Sequence, residues 1–160
     1  GNVIGGGDWS KDRLIPDIIK ATVQQEQVAI RNPTSTRPWQ HVLEPLAGYL
    51  QLGAALQLDP VKHATAYNFG PEFTDALPVE EVVKQAIQCW GSGNYETPQL
   101  KGQPHEAGLL QLNSAKAKQD LGWQPKYNSA QAIAQTIDWY RFATENPREY
   151  SLQQIQAYCK

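Results

Sequence analysis

The sequence predicts an α/β protein, and three observations carry that prediction. Short runs of β-branched and aromatic residues alternate with longer stretches whose apolar residues recur at helical spacing. Glycine and proline punctuate the junctions, as at Gly5-Gly6-Gly7, Asp59-Pro60 and Gly70-Pro71. At 160 residues, with 41% hydrophobic residues and five tryptophans, the chain is large and apolar enough for one domain with a real core.

Val3-Ile4 reads as the end of a buried strand that runs into the glycine turn. A helix is expected over about 13–25, with Leu14, Ile15, Ile18, Ile19, Thr22 and Val23 on one side; Pro16 is tolerated because it falls in the first turn. Val28 to Arg31 is a short strand and Asn32-Pro33-Thr34-Ser35 a turn. A second helix is expected over about 40–58, ended by Asp59-Pro60. Ala66 to Phe69 reads as a buried strand closed by Gly70-Pro71. A helix follows Pro78, with Val79, Val82, Val83, Ala86, Ile87 and Trp90 inward and Gly91 as its cap. Tyr95 to Thr97 is a weak strand, and Ser114 to Leu121 a short helix stopped by Gly122-Trp123. Ser129 is expected to cap a last amphipathic helix carrying Ile133, Ile137 and Tyr140, with one further helix over Leu152 to Tyr158. About four strands are too few for a free-standing doubly wound sheet, so the pieces read as part of a larger parallel sheet plus a substrate-side lobe.

Composition excludes several functions. A formal net charge of -2 argues against general nucleic-acid binding, which needs a dense basic surface. No apolar run approaches the length of a membrane span, and no signal-peptide pattern is present. Cys89 and Cys159 lack metal-type spacing and suit a reducing cytoplasm, Cys89 in a core helix and Cys159 as a tail thiol. His41 reads as structural and His63 as exposed, and three scattered histidines make no metal site. The glycine run lacks the third glycine of the dinucleotide fingerprint, since Asp8, Trp9 and Ser10 follow it. A strand-to-helix turn with Trp9 packed beside it therefore outweighs a phosphate cradle.

Six motifs then occur in order: Gly1-Asn2-Val3-Ile4-Gly5-Gly6-Gly7-Asp8-Trp9, Arg13-Leu14-Ile15-Pro16, Arg37-Pro38-Trp39-Gln40-His41-Val42, Tyr67-Asn68-Phe69-Gly70, Pro104-His105-Glu106-Ala107 and Leu121-Gly122-Trp123-Gln124-Pro125. Together they resemble the C-terminal part of the extended short-chain dehydrogenase/reductases acting on nucleotide sugars, the NAD-dependent epimerase/dehydratase family. The resemblance covers nearly the whole chain. It implies that residues 1–160 are the C-terminal substrate-binding portion of an extended Rossmann fold, with an incomplete parallel sheet and several helices. It implies NAD as cofactor, bound mainly by an N-terminal part, and a nucleotide sugar, CDP-glucose, as substrate. By the same resemblance the full enzyme is a 4,6-dehydratase of deoxysugar biosynthesis that oxidises the C4 hydroxyl, removes water between C5 and C6 and returns the hydride to C6. It would be a cytoplasmic homodimer or homotetramer.

The family's catalytic Tyr-x-x-x-Lys has no counterpart here, because none of the seven tyrosines has lysine four residues on. The segment is therefore expected to be inactive by itself, and to aggregate or associate through the apolar faces that an incomplete sheet exposes. The resemblance places substrate contacts at eight residues. Arg37, held between a turn and Pro38-Trp39, would meet the diphosphate, for which a guanidinium fork is suited. Arg31 would lie along the nucleobase, and Asn2, Arg13 and Leu14 would face the ligand. Asn68, His105 and Glu106 complete the set, each with an ordinary structural alternative: a hydrogen-bonded buried amide for Asn68 and loop hydrogen bonding for the other two. A related epimerase, a GDP-sugar dehydratase and a non-catalytic nucleotide-sugar binding module remain open beside the dehydratase.

Overall fold

The computed structural model describes residues 2–98 and 108–160. Six short strands, seven α-helices and one 3-10 turn (Phe73–Asp75) occur among them. The strands form three two-stranded pieces. In the first, β1 (Asn2–Ile4) runs parallel to β4 (Trp39–His41), with Asn2 opposite Trp39 and Ile4 opposite His41. In the second, β2 (Gln27–Ala29) is parallel to β6 (Asn94–Glu96). In the third, β3 (Thr36–Arg37) is antiparallel to β5 (Leu77–Pro78). These open pieces with helices around them are an incomplete Rossmann-like α/β arrangement.

The main core forms where α1 (Leu14–Gln24), α4 (Val79–Trp90) and α6 (Ser129–Phe142) converge on β1, β2 and β4. Helical spacing brings Ile15, Ile18 and Ile19 of α1 against Val82, Val83 and Ala86 of α4 and Ile133 and Ile137 of α6. A smaller core of Phe69, Ala117 and Trp123 lies where α2 (Leu43–Leu58) meets α5 (Ala115–Leu121). Two further helices, α3 (Pro60–His63) and α7 (Pro147–Cys159), complete the set.

Five expectations need correction. Gln40 and His41 belong to β4, not to the second helix, which starts at Leu43. All three β4 residues are buried, and the parallel ladder with β1 fixes them as strand. Ala66 to Phe69 is not a strand, and Asn68 is exposed rather than buried. This segment is held by side chains: Gln40 Nε2 donates to the Phe69 carbonyl (2.8 Å), Ser114 Oγ to the Gly70 carbonyl (3.4 Å) and Asn68 Nδ2 to the Asn113 carbonyl (3.4 Å). His63 is buried, with Nδ1 3.3 Å from the Tyr67 hydroxyl. The cap of α6 is Asn128, not Ser129; Asn128 and Gln131 form a reciprocal capping box. The last helix is also longer than expected, because Asn146 caps it and Pro147 sits at its first position.

Glu44 joins the C-terminal region to the rest. Its side chain is fully buried, and its carboxylate accepts from the backbone N–H groups of Lys126 (3.1 Å) and Tyr127 (2.8 Å) and from the Tyr158 hydroxyl (2.9 Å). Its carbonyl accepts from Trp123 Nε1 (3.1 Å). Burial, followed by this bond to Glu44, holds the Tyr158 hydroxyl well above the usual phenol range.

Candidate functional site

The glycine run is shaped by packing. A Cβ on Gly6 would lie 2.0 Å from the Trp139 ring, and Gly7 adopts a φ of 83°, which favours glycine. Trp139 therefore packs directly against the turn at Gly6. Trp9 is exposed beside the turn and meets Tyr140 edge-on, with ring centroids 5.1 Å apart. The Tyr140 hydroxyl donates to the Asp8 carbonyl (2.6 Å), and burial raises its pKa to about 12.

Beside this turn lies a cleft of about 690 Å³, within the range of small-molecule sites. It opens past the carboxyl ends of β1 and β2, where Gly5 follows one strand and Ile30, Arg31 and Asn32 follow the other. The start of α1 and the segment around Arg37 and Trp39 close its sides. Five of the eight residues singled out by sequence line it together: Asn2, Arg13, Leu14, Arg31 and Arg37. Asn2 is fixed by its own N–H donating to the Pro38 carbonyl (3.1 Å). Arg13 precedes the first turn of α1 in extended conformation, and Arg37 lies half-buried in β3. Asn68 does not line the cleft. His105 and Glu106 lie outside the described residues.

Sequence reasoning missed the acidic half of this site. Asp8, Asp12 and Asp17 line the same cleft, so three carboxylates stand among three guanidinium groups. Asp12 directly precedes Arg13 and Asp17 follows it by one helical turn, which was the available signal. The Ser10 backbone N–H, bonded to the Asp8 carboxylate at 2.9 Å, holds the Asp8 pKa below its ordinary value, with nearby Arg13 adding to the effect. Partial burial raises that of Asp17. Asp12 forms an ion pair with Arg31 (2.9 Å). Trp39 also lines the cleft, anchored by its Nε1 donating to the Leu77 carbonyl (3.1 Å).

Over 141 residues the chain is 44% identical to CDP-glucose 4,6-dehydratase of Salmonella typhimurium, a match spanning 88% of this chain and 39% of that protein. The chain is homologous to the NAD-dependent nucleotide-sugar epimerase/dehydratase family. It spans about two-fifths of the length of that relative. A shorter stretch of 29 residues is 52% identical to dTDP-glucose 4,6-dehydratase of Xanthomonas campestris. No protein-family model matches the chain. Among solved structures, dTDP-glucose 4,6-dehydratase of Bacillus anthracis in complex with NAD superposes with a TM-score of 0.68 at 22% identity, covering 93% of this chain and 44% of that one. UDP-glucuronic acid 4-epimerase of Bacillus cereus, solved with a UDP-sugar and NAD, gives 0.71 at 18% identity over 88% and 43% of the two chains. These likenesses establish the fold.

His41 belongs to the strand paired with β1. It lies at the end of β4 opposite Ile4, and burial lowers its pKa to about 4, so the ring is neutral at pH 7. Its Nδ1 accepts from the Leu43 N–H (3.4 Å), satisfying one free donor in the first turn of α2. Among the described residues no group of histidines, cysteines and carboxylates could hold a metal ion. No helix there is long and apolar enough to cross a membrane.

Proposed function

We propose that the cleft is the nucleotide-sugar site of an NAD-dependent CDP-glucose 4,6-dehydratase, which converts CDP-glucose to CDP-4-keto-6-deoxyglucose with loss of water. The observation that carries this is the convergence of Asn2, Arg13, Arg31 and Arg37 on one cleft. It occurs in a chain 44% identical to a CDP-glucose 4,6-dehydratase. A nucleotide diphosphate carries about two negative charges, and guanidinium forks match its oxygens in pairs. Arg37, half-buried in a strand, is the best-held of the three for that task. Asn2 can donate to a phosphate or accept from a sugar hydroxyl.

The glycine turn does not fit the pyrophosphate of NAD: it lacks the fingerprint's third glycine, and Trp139 packs against it at Gly6. Cofactor binding and the Tyr-x-x-x-Lys chemistry therefore fall to polypeptide other than these 160 residues, which bind and orient substrate and are inactive alone. The whole protein would act in the cytoplasm as a homodimer or homotetramer.

Isothermal titration calorimetry with CDP-glucose, UDP-glucose and GDP-mannose tests the assignment. Selective binding of CDP-glucose, weakened at least tenfold by Arg37→Ala, is the expected result; each lost charge-assisted contact of this kind costs about 1.5–3 kcal/mol. A preference for UDP- or GDP-sugars would favour a related epimerase or GDP-sugar dehydratase. Absence of binding to any sugar nucleotide would refute the site. Binding without any turnover by the complete polypeptide would leave a non-catalytic binding module.

A further inference from the structure

The ion pair between Asp12 and Arg31 is an unusual feature of the cleft lining. Both residues line the cleft, their atoms meet at 2.9 Å, and their side chains are 74% and 63% exposed. An exposed pair of this kind adds little to stability. What it does is hold a donor group and an acceptor group side by side at the cleft wall. Arg31 has further N–H groups beyond the one given to Asp12, and Asp12 Oδ2 accepts no hydrogen bond among the described residues.

That arrangement complements one pyrimidine edge and opposes the other. Along its Watson–Crick edge cytosine presents two neighbouring acceptors, O2 and N3, and then an amino donor at N4. Uracil presents an acceptor, a donor and an acceptor. Two guanidinium N–H groups beside a carboxylate match the cytosine order. Against uracil they would set an N–H against N3–H and a carboxylate oxygen against O4, which is repulsive at both places. Bases outside a duplex are commonly read on this edge.

We infer that the Asp12–Arg31 pair is the base-reading element of the cleft: Arg31 donates to O2 and N3 of cytosine, and Asp12 accepts from its N4 amino group and thereby rejects uracil. This rests on the nucleotide-sugar reading of the cleft and adds to it a residue that sets specificity.

CDP and UDP share ribose and diphosphate, so their difference in affinity isolates the base edge. Calorimetry of the wild-type protein should show CDP binding about tenfold tighter than UDP, the scale of one good base-edge contact. Asp12→Asn replaces the acceptor by a group that can also donate to O4. The CDP-to-UDP ratio should fall to about one or invert, with UDP affinity kept or raised. Asp12→Ala should weaken CDP and tighten UDP, because no carboxylate then opposes O4. Asp12 is exposed in a turn, and a thermal melt of each variant confirms that folding is intact. Equal wild-type affinities, or an Asp12→Asn variant that weakens both nucleotides by the same factor, would overturn the base-reading role while the diphosphate site stands. Failure of the wild-type protein to bind either nucleotide would remove the site itself and the inference with it.

Discussion

Replacing Glu44 by alanine should be among the most damaging single changes in this molecule. The carboxylate is fully buried and accepts from the N–H groups of Lys126 and Tyr127 and from the Tyr158 hydroxyl. A buried donor left without an acceptor costs about 1–3 kcal/mol; with Tyr158 buried and the two N–H groups only half-buried, the loss comes to about 2–6 kcal/mol. A domain of this size has a total stability of about 5–15 kcal/mol, so the variant would lie at the edge of folding. Glu44→Gln keeps the volume but offers a neutral acceptor and turns an NH2 group toward donors, for an intermediate loss of about 2–4 kcal/mol. Tyr158→Phe removes one bond and should cost about 1 kcal/mol. Urea unfolding followed by circular dichroism ranks the three. A Glu44→Ala midpoint within 1 kcal/mol of wild type, or a Tyr158→Phe loss as large as that of Glu44→Ala, would refute this account of the buried carboxylate.

Further expectations are open to direct measurement. His41 has a folded pKa of about 4. Because that value is depressed below the unfolded one, its contribution is complete above about pH 6.5 and is lost as pH falls toward 4, amounting to about 2–3 kcal/mol by pH 4.5. Unfolding at pH 7.5 and 4.5 should show that slope, and His41→Gln should flatten it. Gly6→Ala drives a methyl into the Trp139 ring and should cost about 2–3 kcal/mol in a thermal melt, part of which Trp139→Leu in the same chain recovers. Asn128→Ala breaks the capping box of α6 and should cost about 1 kcal/mol by the same measurement. Leu46, Leu50 and Leu58 of α2 are exposed, so the chain by itself should self-associate. Sedimentation at several concentrations would show this, Leu50→Lys should reduce it, and a sharp, concentration-independent melt of a monomer would contradict it.

The helices were legible because their apolar spacing is strong. Ile15, Ile18 and Ile19, or Ile133 and Ile137, leave little choice of face. The strands were not, because each is two or three residues long and is specified by a partner distant in sequence. Gln40 and His41 look like a helix start, yet the ladder to β1 makes them strand. Phe69 looks like a strand residue, yet its carbonyl is taken by a side chain, Gln40. At the cleft, the arginines stood out because chemistry for a diphosphate calls for them. The aspartates did not, because a carboxylate near a helix start is ordinarily read as a dipole partner or a solvated charge. Only the folded chain shows that Asp8, Asp12 and Asp17 share the cleft with the arginines and that Asp12 pairs with Arg31.

Tyr140 reaches Asp8 across 132 residues of sequence, and Trp139 both fills the space over Gly6 and donates from Nε1 to Ser151 on α7 (2.9 Å). One edge of the cleft is thus clamped by the last quarter of the chain. Contacts this non-local form late, since a long loop must close before they bring any gain. During synthesis the turn at Gly5 to Gly7 would emerge well before α6 and α7 and wait, unsupported, until they left the ribosome. A nascent chain halted before Trp139 would carry every arginine of the cleft but lack the side chains that brace its edge at Gly6 and Asp8.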